Sequence, residues 1–395
     1  MLCIPRGLLY SRDYSMEEER RRMTTSATAE GTRRYAEKFA GRAAVGHFRE
    51  LAGPCGGLVV SSIGIGTYLG NPDARTDAAY TEAVVAAVES GINVIDTAIN
   101  YRFQQSERSI RDALADLARR GFPREEIVVC TKGGYLTPDG AMPSDPNEYF
   151  FREYIQKGVL RSQDIAAGCH AMTPRYLEDQ LARSLKNLGV DAIDVYYLHN
   201  PETQLGEISR EEFVARIHAA FEFLESAVTA GKVRFYGMAT WNGFRASKEA
   251  AEGLQLAELE IVAHEIAGAG HHFRFVQLPL NLGMTEALTL VNQAVDDRTL
   301  PMIEAAHALD ITLVGSASLL QGQMARNLPA FIADVLSLEN DAERALQFAR
   351  STPGMTTALV GMRGAEHVRA NAKLVGVAPV SVEQFGKLFE RGGTA

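Results

Sequence analysis

The chain of 395 residues predicts a (β/α)8 barrel of the TIM type, with an N-terminal extension and long loops after its strands. Three observations lead there. Short β-branched runs alternate with amphipathic helical stretches from about residue 58 onward. The runs are apolar nearly throughout, so both faces of their sheet must be covered, as when helices flank parallel strands. There are eight of them, the number that closes a barrel. A doubly wound open sheet is the competing arrangement. It is disfavoured because no early Gly-x-Gly-x-x-Gly turn joins a strand to a helix, and Gly64-Ile65-Gly66 lacks the third glycine.

In chain order, residues 1–22 differ from the rest. The apolar start Met1-Leu2-Cys3-Ile4-Pro5 is interrupted, and Glu17-Glu18-Glu19-Arg20-Arg21-Arg22 ends any signal-peptide reading. This lead is expected to be disordered or to precede a true start at Met16 or Met23. Residues 24–55 read as an arm with a helical Thr32–Ala40 portion, so that 1–57 forms the extension. The barrel is expected over 58–380. Its strands are Leu58–Ser62 or Ile63–Thr67, Asn93–Asp96, Ile127–Lys132, Ala192–His199, Val233–Ala239, Phe275–Asn281, Ile311–Ala317 and Thr357–Met362. Helices are expected at Asp77–Ser90, Ser106–Arg120, Pro174–Leu188, Glu211–Ala230, Thr299–Leu309, Ala342–Arg350 and Ala365–Leu374. Thr173 before Pro174 marks an N-cap, and Gly91, Gly121, Gly189 and Gly231 mark helix ends. Residues 136–172 and 254–274 read as loop insertions of functional length. The first carries Tyr149, Phe150, Phe151 and Tyr154, either as a surface hairpin or as a pocket wall. Residues 381–395 form a C-terminal helix, Val382–Glu390, and a tail.

Apolar content of 46% and charged content of 23% are those of a soluble globular protein. A net charge of −9 argues against a nucleic-acid surface. No stretch has the apolar length of a transmembrane helix. The four cysteines are scattered without metal-type spacing, which favours a reducing cytoplasm over a disulfide framework. Cys169-His170 and His271-His272 lack matched ligands elsewhere, so no metal is expected.

Four residues stand at strand ends or just beyond: Asp96, Tyr101, Lys132 and His199. Side chains alternate along a strand, so Val94 and Asp96, Cys130 and Lys132, Tyr197 and His199 form same-face pairs. In a barrel the last member of each pair points into the C-terminal mouth, where active sites form. An unperturbed tyrosine titrates near ~10, and a lysine ammonium beside it is expected to lower that value, with Asp96 holding the lysine. His199 is suited to orient a carbonyl oxygen. Such a carbonyl still needs a hydride, which side chains do not supply, and a nicotinamide cofactor is therefore expected.

Asp96-Thr97-Ala98-Ile99-Asn100-Tyr101, Cys130-Thr131-Lys132 and Leu198-His199 resemble the catalytic segments of the aldo-keto reductases. The likeness runs in order from about residue 60 to 375. It implies a barrel that binds NADPH, with NADH possible, and reduces a small carbonyl substrate through a tyrosine acid. It further implies Thr240 and Asn242, in Gly237-Met238-Ala239-Thr240-Trp241-Asn242, and Gln277 as contacts of the nicotinamide amide. Ser318, Leu319 and Gly322 then belong to the turn over the pyrophosphate. Arg363, His367 and Asn371 hold the adenosine half, Arg363 or His367 taking a 2′-phosphate. Ser106-Glu107 resembles the pair that follows the family's tyrosine loop. The sequence departs from the pattern at Arg102 (commonly Gly), at Ser316 (often aromatic), and at Met362 and Ala370 (polar). Two other readings remain: a cofactor-binding regulatory subunit, as in the potassium-channel β-subunits that resemble these reductases, and a biosynthetic relative catalysing elimination. No signal for oligomeric state is legible.

Overall fold

The computed structural model describes residues 26–51 and 53–390; the expectation for residues 1–22 lies outside them, as do residues 391–395 of the tail. Eight parallel strands close into a barrel. They are β3 (Ile63–Gly66), β4 (Val94–Asp96), β5 (Val128–Gly133), β6 (Ile193–His199), β7 (Val233–Ala239), β8 (Phe273–Pro279), β11 (Thr312–Ser316) and β12 (Met355–Gly361). β12 pairs with β3 to complete the ring. The two candidates for a first strand both form, with different partners. Ile63–Gly66 enters the barrel, whereas β2 (Val59–Ser61) pairs antiparallel with β1 (Phe48–Glu50).

That hairpin corrects the picture of a separate arm. Ala27, Leu51, Leu58 and Val60 pack against the inward residues Val94, Val128, Cys130, Val195 and Phe235. The hairpin therefore caps the N-terminal end of the barrel. Helix α1 (Ala29–Lys38) starts at Thr28, whose hydroxyl accepts from the Gly31 N–H at 2.9 Å. It sends Tyr35, along with Phe39 just beyond it, into the shell between strands and helices. The extension and barrel share one core.

Helices α2 (Ala74–Glu89), α3 (Gln105–Arg119), α5 (Pro174–Leu188), α6 (Arg210–Thr229), α7 (Leu256–Ala267), α9 (Met302–Ala308), α11 (Asp341–Ser351) and α12 (Ala365–Asn371) belong to the strand–helix alternation. The 254–274 insertion is thus corrected: Leu256, Leu259, Val262 and Ala263 form the buried stripe of α7, a regular barrel helix. A second correction concerns Thr299–Leu309. After the short α8 (Glu286–Thr289), Arg298–Pro301 is β10, paired to β9 (Val291–Val295) across Asp296, and the helix begins only at Met302. Thr173 occupies the cap position of α5, but its hydroxyl makes no capping bond. The 136–172 segment holds the short α4 (Pro146–Phe150) and a π-helical turn, Phe151–Ile155. Its Tyr154, Leu160 and Ala171 form a small core with Tyr176 of α5. Finally, α10 (Ala330–Leu336) packs on α13 (Val382–Glu390) through Val335, Leu336, Phe385 and Leu388. Among the described residues no helix is long and apolar enough to cross a membrane.

Candidate active site

Strand alternation puts Asp96 and Lys132 inside the barrel at its C-terminal end, two residues above Val94 and Cys130. Lys132 is only 1% exposed, so its ammonium must find its partners within the protein. It has three. Nζ donates to Asp96 Oδ1 at 2.5 Å, to the Thr97 carbonyl at 2.7 Å and to the Tyr101 hydroxyl at 3.4 Å. Burial works against that charge, but Asp96 and the Tyr101 oxygen outweigh it and shift the lysine upward. The other Asp96 oxygen, Oδ2, accepts from Gln277 Nε2 at 2.7 Å. Burial raises the Asp96 carboxyl, against the pull of Lys132 and Gln277; the salt-bridged pair is the arrangement the hydrogen bonds satisfy.

Tyr101 departs from expectation. Its phenol is shifted upward, not downward: burial dominates, and the attraction of Lys132 offsets only part of it. The hydroxyl therefore keeps its proton at neutral pH. His199 is driven well below the usual imidazole range by burial, with the Lys132 charge adding to the effect. Its ring stands edge-on to Tyr101, centroids 5.8 Å apart, and a neutral imidazole and a protonated phenol thus face one space.

The Tyr101 loop is tightly held. Arg102, Phe103 and Gln104 all have left-handed backbones, with φ of 48°, 56° and 72°, which glycine would adopt at lower cost. Here the Arg102 side chain anchors the turn: it pairs with Asp77, donates to Ser106 Oγ and Ser109 Oγ at 3.0 Å, and lies over the Tyr80 ring. Ser106 in turn donates to the Thr67 carbonyl at 2.9 Å. Glu107 is buried beneath, bonded to Thr131 and Asn187.

A cavity of about 510 Å³ opens above these groups. It draws on the ends of every barrel strand except β5. Tyr68, Leu69, Asp96, Tyr101, His199, Asn200 and Trp241 line it near the tetrad, and His367, Ala370 and Asn371 line it beyond the turn Ser316–Gly322. Of the sequence-predicted contacts, Thr240, Gln277, Ser318, Leu319, Gly322, His367 and Asn371 line the cavity. Lys132 does not; it lies behind Tyr101. Asn242 and Arg363 are not among the lining residues. Asn242 sits three residues past Ala239, the last in-facing strand position, and is exposed, its N–H taken by Glu202 at 3.1 Å. Ala239 lines the cavity instead, as its period-two relation to Phe235 and Gly237 signals. Arg363 is exposed at the rim.

Two features suit this hollow to a dinucleotide. The Thr240 hydroxyl is buried and has no protein partner, a donor and acceptor waiting for one. Ala317, Leu320, Gln321 and Gly322 all have left-handed φ, from 43° to 87°, a tight turn that forms one wall of the cavity. Ser318 contributes structure here, its hydroxyl donating to the Leu359 carbonyl at 2.8 Å. Tyr149, Phe150, Phe151 and Tyr154 are absent from the lining; Tyr154 is buried against Tyr176, and Phe151 is exposed.

Residues 62–390 match the sequence profile described as Aldo/keto reductase family. A 6-dehydroglucose reductase from Novosphingobium aromaticivorans is 31% identical over 198 residues, covering 49% of this chain and 51% of that protein. An NADH-specific methylglyoxal reductase from Escherichia coli is 27% identical over 210 residues, with 52% and 55% covered. The chain thus spans about half the length of these two curated relatives. An aldo/keto reductase from Klebsiella pneumoniae, solved with NADP and acetate, superposes with a TM-score of 0.56 at 18% identity, covering 85% of this chain and 92% of that one. With a barrel closed as in that structure and a profile match running from β3 to the C-terminal helix, the chain belongs to the aldo/keto reductase family.

Proposed function

We propose that the protein reduces an aldehyde or ketone to an alcohol with a nicotinamide cofactor, taking NADPH in preference to NADH. The observation that carries this reading is the Tyr101 hydroxyl, 3.4 Å from a lysine ammonium that is itself locked to Asp96. Thr240, Gln277, the 317–322 turn, His367 and Asn371 would hold the cofactor, which when bound supplies the hydride that reduces the carbonyl carbon. Tyr101 and His199 bind the carbonyl oxygen and orient it. As negative charge develops there, Tyr101 donates its proton, and Lys132 stabilises the phenolate left behind. Asp96 acts one step back, fixing Lys132. The exposed rings of Tyr68 and Trp241 flank the entrance, where the body of a substrate would pass.

The preference for NADPH rests on Arg363 and His367, cationic or neutral donors beside the cavity's far end, and on the Klebsiella pneumoniae neighbour's ligand; the NADH-specific relative argues the other way. Titrating Trp241 fluorescence with each cofactor separates the two, and oxidation of NADPH by a panel of aldehydes tests the activity. Quenching by neither cofactor would sink the reading. The expected result is saturable quenching, tighter for NADPH, and carbonyl-dependent loss of reduced cofactor.

A further inference from the structure

The 136–172 insertion contributes a side chain that no sequence motif singles out as functional. His170 is fully buried between Gly134 and the end of β6. Its Nε2 lies 2.8 Å from the carbonyl oxygen of His199, and its Nδ1 lies 3.0 Å from Gln204 Nε2. The polarity of this chain follows from its far end. Arg216 can only donate, and its guanidinium is 2.9 Å from Gln204 Oε1. The Gln204 amide is therefore oriented with its nitrogen toward His170, so Nδ1 accepts. Nε2 must then carry the proton, which it gives to His199. Burial, which holds His170 down to about 4, agrees with one neutral tautomer.

The bond fills a specific gap. The β5–β6 ladder ends at Gly133 and Leu198, so the carbonyl of His199 has left the sheet on that side. His170 supplies its donor. The approach is close: a Cβ on Gly134, whose φ is +141°, would fall 2.6 Å from His170 Nε2 and 3.1 Å from the His199 carbonyl oxygen. Only glycine leaves room. A short antiparallel pairing ties the insertion down beside it: Leu136 N–H to the Cys169 carbonyl at 2.7 Å and Ala171 N–H to the Gly134 carbonyl at 2.9 Å. Tyr135 then stands edge-on to both imidazoles, its centroid 5.2 Å from His170 and 5.1 Å from His199.

We propose that His170 is a positioning residue for carbonyl reduction: the insertion folds back to place one imidazole under the His199 backbone, and this fixes the His199 ring against Tyr101. The inference rests on the function proposed above. Its consequence is that the insertion acts on the chemistry from below rather than as a wall of the substrate pocket.

The test compares His170→Leu with His170→Gln, whose amide keeps one N–H donor and one acceptor. In His170→Leu, kcat is expected to fall about tenfold or more while the dissociation constant for NADPH stays within about twofold. His170→Gln should recover most of that loss. Independently of turnover, the His199 ring resonances in the NMR spectrum of the cofactor-free protein should move in His170→Leu and return toward wild type in His170→Gln. If His170→Leu fails to fold, Gln204→Leu, which frees the tautomer while leaving His170 in place, should show the same resonance shift and a smaller fall in kcat. Wild-type kcat and an unmoved His199 signal in the leucine variant, or no rescue by glutamine, would overturn the proposal. Wild-type protein that reduces no carbonyl would instead overturn the parent reading, leaving the resonance comparison to judge His170.

Discussion

The two ends of the barrel are built from the same strands and solve opposite problems. At the N-terminal end Leu58, Val60 and Leu51 fill the opening with hydrocarbon, and charge is tied into the framework: the half-buried Arg49 donates to the Thr356 carbonyl at 2.7 Å and to that of Arg350 at 2.6 Å, and Asp194 accepts from Arg124 and from the Val129 N–H, both at 2.7 Å. At the C-terminal end buried charge meets buried charge, Lys132 on Asp96, and beside it a hollow is left open. One end is closed by packing and contributes stability; the other gives up packing for a preorganised ion pair. Substitutions at the two ends should therefore separate turnover from stability.

The largest separation is expected at Tyr101. Tyr101→Phe should lower kcat by about 10³-fold, with cofactor affinity and thermal midpoint nearly unchanged, because only the proton donor is lost. Unchanged turnover would place the donor elsewhere. Lys132→Met tests whether the top charge pair is also structural. Removing the ammonium strands Asp96 in the interior, and about 3–5 kcal/mol of stability should disappear along with activity. Adding Asp96→Asn should restore much of the stability and none of the turnover; a double variant as unstable as the single one would contradict this account. At the bottom, Leu58→Ala should cost about 2–5 kcal/mol in a urea titration while kcat/KM holds, and a parallel drop in kcat/KM would erase the contrast.

A smaller effect concerns His47, which bridges the Gly91 carbonyl at 2.8 Å and Ser62 Oγ at 3.1 Å. Burial lowers its ring from 6.5 to about 4. Between those values the unfolded chain takes up a proton that the folded chain refuses, so this contribution is whole above pH 6.5 and is lost as pH falls toward 4. His47→Gln, which keeps a donor and an acceptor, should therefore lose less stability than wild type over that window, by about 1 kcal/mol per pH unit. Equal slopes would show that His47 does not titrate this way. Smallest of all, Arg363→Ala should weaken NADPH binding about tenfold and leave NADH binding alone; an equal change for both would remove Arg363 from the phosphate.

Much of this was legible in the sequence, and the reasons are local. Asp96, Lys132 and His199 are strand-end residues whose neighbours two positions back are apolar, and period-two alternation alone turns them inward. Helix Pro174–Leu188 announced itself through proline at its start and glycine at its end. What failed were features decided by tertiary contacts. Phe48–Glu50 reads as part of an arm and Val59–Ser61 as a candidate barrel strand, because each is only three residues long and is stabilised from the barrel side. Tyr101 was expected to be acidified by Lys132, whereas burial, invisible in sequence, is the larger influence. His170 looked like a loop residue because Gln204 and the His199 carbonyl, which give it meaning, lie 34 and 29 positions away. Asn242 falls outside the cavity lining because the strand ends at Ala239 and the chain turns before reaching it.

The hairpin beneath the barrel has a practical corollary. The family profile begins at residue 62, but Ala27, Leu51, Leu58 and Val60 precede it. An expression clone trimmed to the profile would remove the stopper and leave a ring of bare valines and phenylalanines facing water. Such a truncation is expected to aggregate, although every residue that touches the reaction would still be present.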